Sequence, residues 1–236
     1  MPNNSNRPDF SSPTYPYRRV VTGANTLKGA ELIPYKILNY LLDLPDANGY
    51  VPPTSNDYPR VRLMRYLWND GPRPLEGELP TPEQRLSMLF DPDEQVLNTD
   101  LQKKQHPKGY RLFWQRVVEQ SVLDAKTIIR CYIGNIVERR KFLTTIGITF
   151  EVWSHVGLET NTKTHAYDRT VNIEQCLHEA LDGVDIAGIG TVGFSREEST
   201  SNGSEQIWDD SSHVGRLVNC SILWAEGGGG TIGNCK

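Results

Sequence analysis

Prolines divide this chain into two different parts. Thirteen of the fifteen prolines lie between residues 2 and 82, and none follows Pro107. Because proline fixes φ and lacks a backbone N–H, it interrupts helices and is excluded from central strands. We therefore expect an interrupted first half and a second half that can form long strands and helices. The predicted organisation is an extended arm (1–26), a Pro-rich helical extension (27–110), a core (111–226) and a flexible Gly-rich tail (227–236).

The clearest strand signal is the alternation in LTTIGITFEVW, residues 143–153. The segment TIIRCYIGNIV (127–137) before it is also predicted to be a strand. The five-residue connection ERRKF is too short for a parallel crossover, so the two strands should form an antiparallel hairpin. The apolar side chains of the second strand should share one face of the sheet: Ile146, Ile148, Phe150 and Val152.

Helices are predicted on both sides of this hairpin. AELIPYKILNYLLDL (30–44) should be helical with Pro34 in its first turn, and RVRLMRYLW (60–68) should form a second helix. Thr81 begins a capping box for a third helix, and LFWQRVVEQSVLDA (112–125) gives a weaker helical signal. After the hairpin, Asn172 is the predicted N-cap of a helix that ends at Gly183. Its buried face should comprise Ile173, Cys176, Leu177, Ala180 and Leu181.

The closing segment GRLVNCSILWAE (215–226) is predicted to be a strand with one apolar face. The order of elements is then helix, strand, strand, helix, strand, strand. This order indicates an α+β fold, in which one or two helices cover an antiparallel sheet, with a long extended and partly helical N-terminal extension. The apolar face of the closing strand should comprise Val218, Cys220, Ile222 and Trp224.

The hexapeptide GIGTVG, residues 188–193, has the glycine spacing of a dinucleotide-binding turn. That motif requires a strand before the glycines and a helix N-terminus after them. Here a predicted helix precedes the glycines, and a polar loop follows them. We therefore expect a glycine-bearing strand, with Ile189, Thr191 and Gly193 on one face, and no cofactor.

Other catalytic patterns are missing from the sequence. The five histidines do not lie at metal-ligand spacing, and the four cysteines are scattered, which is typical of buried free thiols in a reducing compartment. We expect no catalytic, cofactor-binding or metal-binding residues, and hence no enzyme. The net charge of −4 and the lack of a basic run do not favour nucleic-acid binding by phosphate neutralisation. No apolar stretch is long enough to cross a membrane.

Residues from about 112 to 226 resemble the neck and tail-terminator proteins of tailed bacteriophages. The similarity lies in the hairpin, the helix NIEQCLHEALDG, the strand GIGTVGF and the closing strand after a long polar loop. It implies a virion structural protein, assembled in the host cytoplasm, that forms a ring of typically six subunits. Such a ring caps the tail tube and contacts neighbouring neck and tail-tube proteins, with DNA only as passing cargo. The additional N-terminal stretch of about 110 residues leaves the particular ring open: terminator, head closure or outer collar.

An assembly role predicts where contacts should fall. The N-terminal arm should lie across a neighbouring subunit, and the strands 127–137 and 215–225 should lie near a subunit contact, because ring closure covers sheet edges. Two polar loops, 157–171 and 195–213, should order on partners. The candidate interface residues are Tyr15, Tyr17, Arg139, Arg140, Lys141 and Arg216, and the candidate lumen-facing acidic residues are Glu197, Glu198 and Glu205.

Two other functions stay open from the sequence. One is a nucleotide- or dinucleotide-binding enzyme that uses the glycine stretch 188–193. The other is a monomeric adaptor module that recognises a host protein with its arm.

Overall fold

The computed structural model describes residues 29–91, 104–116, 126–140, 143–159, 168–194, 204–209 and 212–225. They form an α+β fold, as predicted, in which helices pack on a mostly antiparallel sheet. The helices are α1 (Ile33–Leu42), α2 (Pro59–Trp68), α3 (Pro82–Ser87), α4 (Val156–Glu159) and α5 (Arg169–Leu181). The strands are β1 (Leu112–Phe113), β2 (Thr127–Arg140), β3 (Leu143–His155), β4 (Asp185–Ile186), β5 (Gly190–Gly193), β6 (Glu205–Asp209) and β7 (His213–Ala225).

The sheet is built around β3. Its order is β1-β2-β3-β7-β5-β4, and β6 also pairs with β7. β3 pairs with β7 over its whole length, from Leu143 opposite Ala225 to His155 opposite His213. β1 is parallel to β2, and the other pairings are antiparallel. The predicted hairpin is confirmed, and it is longer than expected, because β2 pairs as far as Arg140 opposite Leu143.

The core lies between the sheet and the helices. The predicted faces of β3 and β7 are confirmed, with Phe150 and Ile222 fully buried. The predicted face of α5 is buried as well. One cluster of buried side chains joins α1, α2 and α5 to β2, β3 and β7, so the helices of the Pro-rich segment share their core with the sheet. Burial of each large aliphatic side chain contributes about 1.5–3 kcal/mol, and this shared core holds the two parts together.

Helix α1 ends in a strained turn that buried charges hold in place. Its C-cap residue Asp43 has φ 52°, the left-handed conformation usually adopted by glycine. The buried carboxylate of Asp43 pairs with Arg60 at 2.8 Å and accepts a hydrogen bond from the Tyr50 hydroxyl at 2.7 Å. Arg85 donates to the Asp43 carbonyl at 2.8 Å. These contacts fix the turn that brings α2 against α1.

Helix α3 begins with the predicted capping box. The Thr81 hydroxyl accepts from the Gln84 N–H, and the Gln84 side chain accepts from the Thr81 N–H at 2.8 Å.

We expect Thr81→Ala to lower the free energy of unfolding by about 1 kcal/mol, because one N–H at the helix start loses its acceptor. Urea denaturation measures the change. The control Thr54→Ala, in an exposed loop, should change the same quantity by less than about 0.5 kcal/mol, and equal losses in both variants would contradict the assignment.

Several local predictions are wrong, including the polar loop predicted over 157–171, which overlaps helix α4 and contains the start of helix α5. The predicted helix over 112–125 begins instead as strand β1, because burial of Leu112 and Phe113 against β2 outweighs local helical propensity; residues 117–125 lie outside the described residues. The predicted loop 195–213 contains strand β6, which pairs with β7. Helix α5 begins at Arg169, three residues before the predicted N-cap Asn172, because the carboxylate of Glu159 accepts from the Thr170 N–H at 3.0 Å.

Candidate functional site

The far end of β2 is an open edge of the sheet. Strand β1 reaches only Ile129 and Arg130, so within the described part of the chain the rest of β2 pairs on one side only, with β3. We call the segment 133–137 the open edge. It is accessible to a partner, since Ile136 is 44% exposed. Unpaired backbone groups of an edge strand are a template for a further strand.

The open edge has a defined shape. Register shifts occur between Ile133 and Asn135 and between Glu138 and Arg140, and such bulges increase the local twist of a strand. The Asn135 side chain lies across β3 where glycine at position 147 leaves room for it. The irregular register limits which strands can be added, and this favours a specific partner over indiscriminate aggregation.

A polar network holds the base of the hairpin on the sheet face away from the helices. The Glu151 carboxylate accepts from the Tyr132 hydroxyl at 2.5 Å, from Arg130 at 3.3 Å and from the Trp153 indole at 3.4 Å. Burial, and then the hydrogen bond to Glu151, raise the pKa of Tyr132 well above its ordinary value. The network therefore joins β2 to β3 directly next to the open edge.

A second edge lies on the other side of the sheet. Strand β6 pairs with β7 from Glu205 opposite Leu217 to Asp209 opposite His213, and in the described residues no strand pairs with its outer side. Glu205 and Gln206 are exposed there. The chain therefore offers two different edges, the open edge of β2 and the outer edge of β6. Two different edges on one molecule allow head-to-tail contacts between identical copies.

The predicted interface residues are only partly described. Tyr15, Tyr17 and Lys141, and the acidic residues Glu197 and Glu198, lie outside the described residues. Arg139 and Arg140 are at the end of β2, next to the open edge. Glu205 begins strand β6, so the acidic segment assigned to a loop is partly strand.

Arg216 has an intrachain role that the sequence did not indicate. Its guanidinium Nε donates to the carboxylate of Glu174 on α5, and its Nη2 donates to the Ser204 hydroxyl at 2.7 Å. The side chain is 23% exposed. It thus links helix α5 to the sheet and to the start of β6, and only the folded pairing brings these three residues together. Its predicted place at an interface stays a prediction.

The GIGTVG segment forms the turn and the second strand of a β-hairpin with β4, and the predicted strand is confirmed over Gly190–Gly193. Gly188 and Gly190 have φ of 79° and 92°, which suit glycine. The predicted facing is wrong, because Ile189 and Val192 are buried while Thr191 is exposed. The turn before β5 shifts the alternation. Strand β5 begins at the second glycine, Gly190. The dinucleotide-binding motif has a helix N-terminus at this point.

The described cysteines are buried in the core. Cys131, Cys176 and Cys220 are free thiols, and burial raises the pKa of each, to about 11 for Cys176. Among the residues the structure describes, there is no cluster of three or more side chains suited to bind a metal ion. The same part of the chain contains no helix with the length and apolar character needed to span a bilayer.

One buried carboxylate gives a pH prediction. Glu159 is 6% exposed, and burial raises its pKa above the ordinary value of 4.5, although hydrogen bonds from Thr170 act in the opposite direction. The folded state therefore binds a proton more readily than the unfolded state, and this contribution to stability is lost as the pH rises above 4.5 through the raised pKa. Glu159→Gln should thus gain stability relative to the wild type as the pH rises through this range.

Urea denaturation at a series of pH values measures this difference in unfolding free energy. The control Glu31→Gln changes an exposed carboxylate and should alter the unfolding free energy by less than about 0.5 kcal/mol. A flat difference for Glu159→Gln as well would contradict the prediction.

An open cavity lies between α1, α3 and the segment around β1, with a volume of about 840 Å³. His106 is one of its polar lining residues, but both ring nitrogens are engaged. Nδ1 donates to the Ser87 carbonyl at 2.8 Å, so Nε2 accepts from the Tyr110 hydroxyl at 3.2 Å. The cavity is largely apolar. Its lining comprises Leu32, Tyr35, Glu83, Leu86, Ser87, Leu89, Phe90, Asp91, His106 and Trp114.

These features define an α+β chain with two different open sheet edges and an apolar cavity. Comparison with protein-family models finds no match, and no characterised protein matches the sequence. The function must therefore be argued from the residues themselves.

Proposed function

We propose that this chain is a structural subunit of a tailed-phage virion and forms a ring at the neck or at the end of the tail. The observation that supports this proposal most is the open edge of β2, at the end of a long and internally braced hairpin. An exposed edge of this kind is a liability in a protein that acts as a single copy. In a ring, each copy covers the edge of its neighbour.

The difference between the two edges supports a ring. If the open edge of β2 contacts the outer edge of β6 in the next copy, the contact is heterologous and repeats around an axis. Such a contact closes when its rotation divides a full turn. The resemblance to tail-terminator proteins suggests six copies.

The charge of the chain fits a channel that DNA passes through. The chain carries a net charge of −4, and Glu205 is exposed on β6. Carboxylates that face a channel repel phosphates, so DNA passes without binding. In this proposal the ring caps the tail tube and joins it to the head side, and its other partners are neighbouring neck and tail-tube proteins.

Light scattering after size-exclusion chromatography tests self-assembly of the full chain. Six copies of the 26.7 kDa chain would give one species of about 160 kDa, stable over a range of concentrations. A single chain at all concentrations, or a continuous distribution of sizes, would contradict a closed ring.

A further inference from the structure

The cavity between α1, α3 and β1 has a preformed aromatic wall. Tyr35 and Trp114 pack edge to face with ring centroids 5.8 Å apart. The Trp114 indole donates to the Phe90 carbonyl at 3.0 Å, and this bond fixes its ring. Leu32 and Leu86 lie on the same cavity and are 45% and 52% exposed. We call this surface the arm groove. The arm groove combines exposed aliphatic side chains with aromatic rings whose orientation is fixed. Binding sites for aromatic segments have this combination.

The described chain begins next to this groove. The first described residue is Gly29, and Leu32, three residues later, lines the groove. The arm carries the segment Tyr15-Pro16-Tyr17, in which proline restricts the backbone and lowers the entropy lost on binding. Tyr17 lies twelve positions before Gly29. A flexible linker of that length would span about 19 Å on average, a distance that allows the segment to reach the groove.

The charges of the arm and the groove are complementary. Glu83 and Asp91 contribute carboxylates to the groove lining. Residues 1–26 contain one acidic residue, Asp9, and three arginines, Arg7, Arg18 and Arg19. Two of the arginines directly follow the Tyr-Pro-Tyr segment. An aromatic segment seated in the groove would therefore bring positive charge close to the two carboxylates.

We propose that the arm groove binds residues 10–21 of the chain's own N-terminal arm, in place of the contact with a neighbouring subunit expected from the sequence. The aromatic side chains of the segment pack against Trp114 and Leu86, and Arg18 and Arg19 lie near Glu83 and Asp91. The short tether gives the segment an effective concentration in about the millimolar range, so even weak contacts keep it bound. The proposal does not depend on ring formation.

Disulfide trapping in the full chain tests this contact. In a Cys235→Ser background, Tyr17→Cys is combined with Leu86→Cys, which replaces an exposed groove residue. We expect an intrachain disulfide that forms at least about tenfold faster than in the control pair Tyr17→Cys and Val51→Cys. Val51 is 80% exposed and does not line the groove. Reversing the arm charges with Arg18→Glu and Arg19→Glu should slow the reaction several-fold.

Three results would overturn the proposal. Equal rates with Leu86→Cys and Val51→Cys would show that the arm has no preference for the groove. A disulfide that joins two chains would assign the groove to the arm of another copy. Faster trapping of Leu86→Cys by Leu97→Cys than by Tyr17→Cys would assign the groove to the segment 92–103. Non-reducing gels and peptide mass spectrometry separate these outcomes.

Discussion

Replacing Arg169 with methionine is expected to lower the free energy of unfolding by about 3–5 kcal/mol. Arg169 begins α5 and is 3% exposed. Its guanidinium donates to three carbonyls around the end of α2, those of Tyr66 at 3.0 Å, Asn69 at 2.9 Å and Gly71 at 2.8 Å. Methionine fills similar space but donates nothing, so these carbonyls lose their donor inside the fold.

Urea denaturation followed by circular dichroism measures the loss. Arg169→Lys keeps the charge but not the planar set of donors, so its loss should be intermediate. Arg73→Met is the matched control, because Arg73 is 55% exposed and only forms a surface pair with Glu76. That variant should lose less than about 0.5 kcal/mol. A loss below about 1 kcal/mol for Arg169→Met would contradict the role assigned to Arg169.

Placing a charge on the open edge is expected to separate the copies without unfolding them. Ile136 is the exposed apolar residue of that edge, and lysine is a residue that natural edge strands use to prevent pairing. We expect Ile136→Lys to raise the dissociation constant of the oligomer at least about tenfold, equivalent to about 1.4 kcal/mol of association free energy. The free energy of unfolding of the single chain should change by less than about 0.5 kcal/mol, because the side chain is already half exposed.

Mass photometry over a dilution series measures this change in association. Val51→Lys makes the same replacement at an exposed residue in the loop between α1 and α2, and its oligomer should match the wild type. Unchanged association of Ile136→Lys would show that the copies meet through another surface.

The strands and helices with strong periodicity were predictable from the sequence. The alternation of apolar and polar residues in β3 and β7 identified their buried faces. Successive side chains of a strand point to opposite faces of the sheet, so the buried face comprises every second residue. The capping box of α3 was predictable for a similar reason, because both of its hydrogen bonds connect residues three positions apart.

Elements that depend on distant partners were not predictable. Strand β1 has two residues, and β6 lies in a polar segment; both are strands only because β2 and β7 are beside them. The start of α5 depends on Glu159, eleven residues before Thr170. The position of the candidate site was not predictable from the sequence either. From the sequence we expect strand 127–137 to lie near a subunit contact, but which part of β2 is open depends on where β1 stops pairing.

Negative-stain electron microscopy of the purified full chain tests ring formation most directly. We expect closed rings with one rotational symmetry, six-fold in this proposal, around a central channel, and we expect Ile136→Lys to abolish them. Separate single copies at every concentration, or open filaments in place of rings, would contradict it.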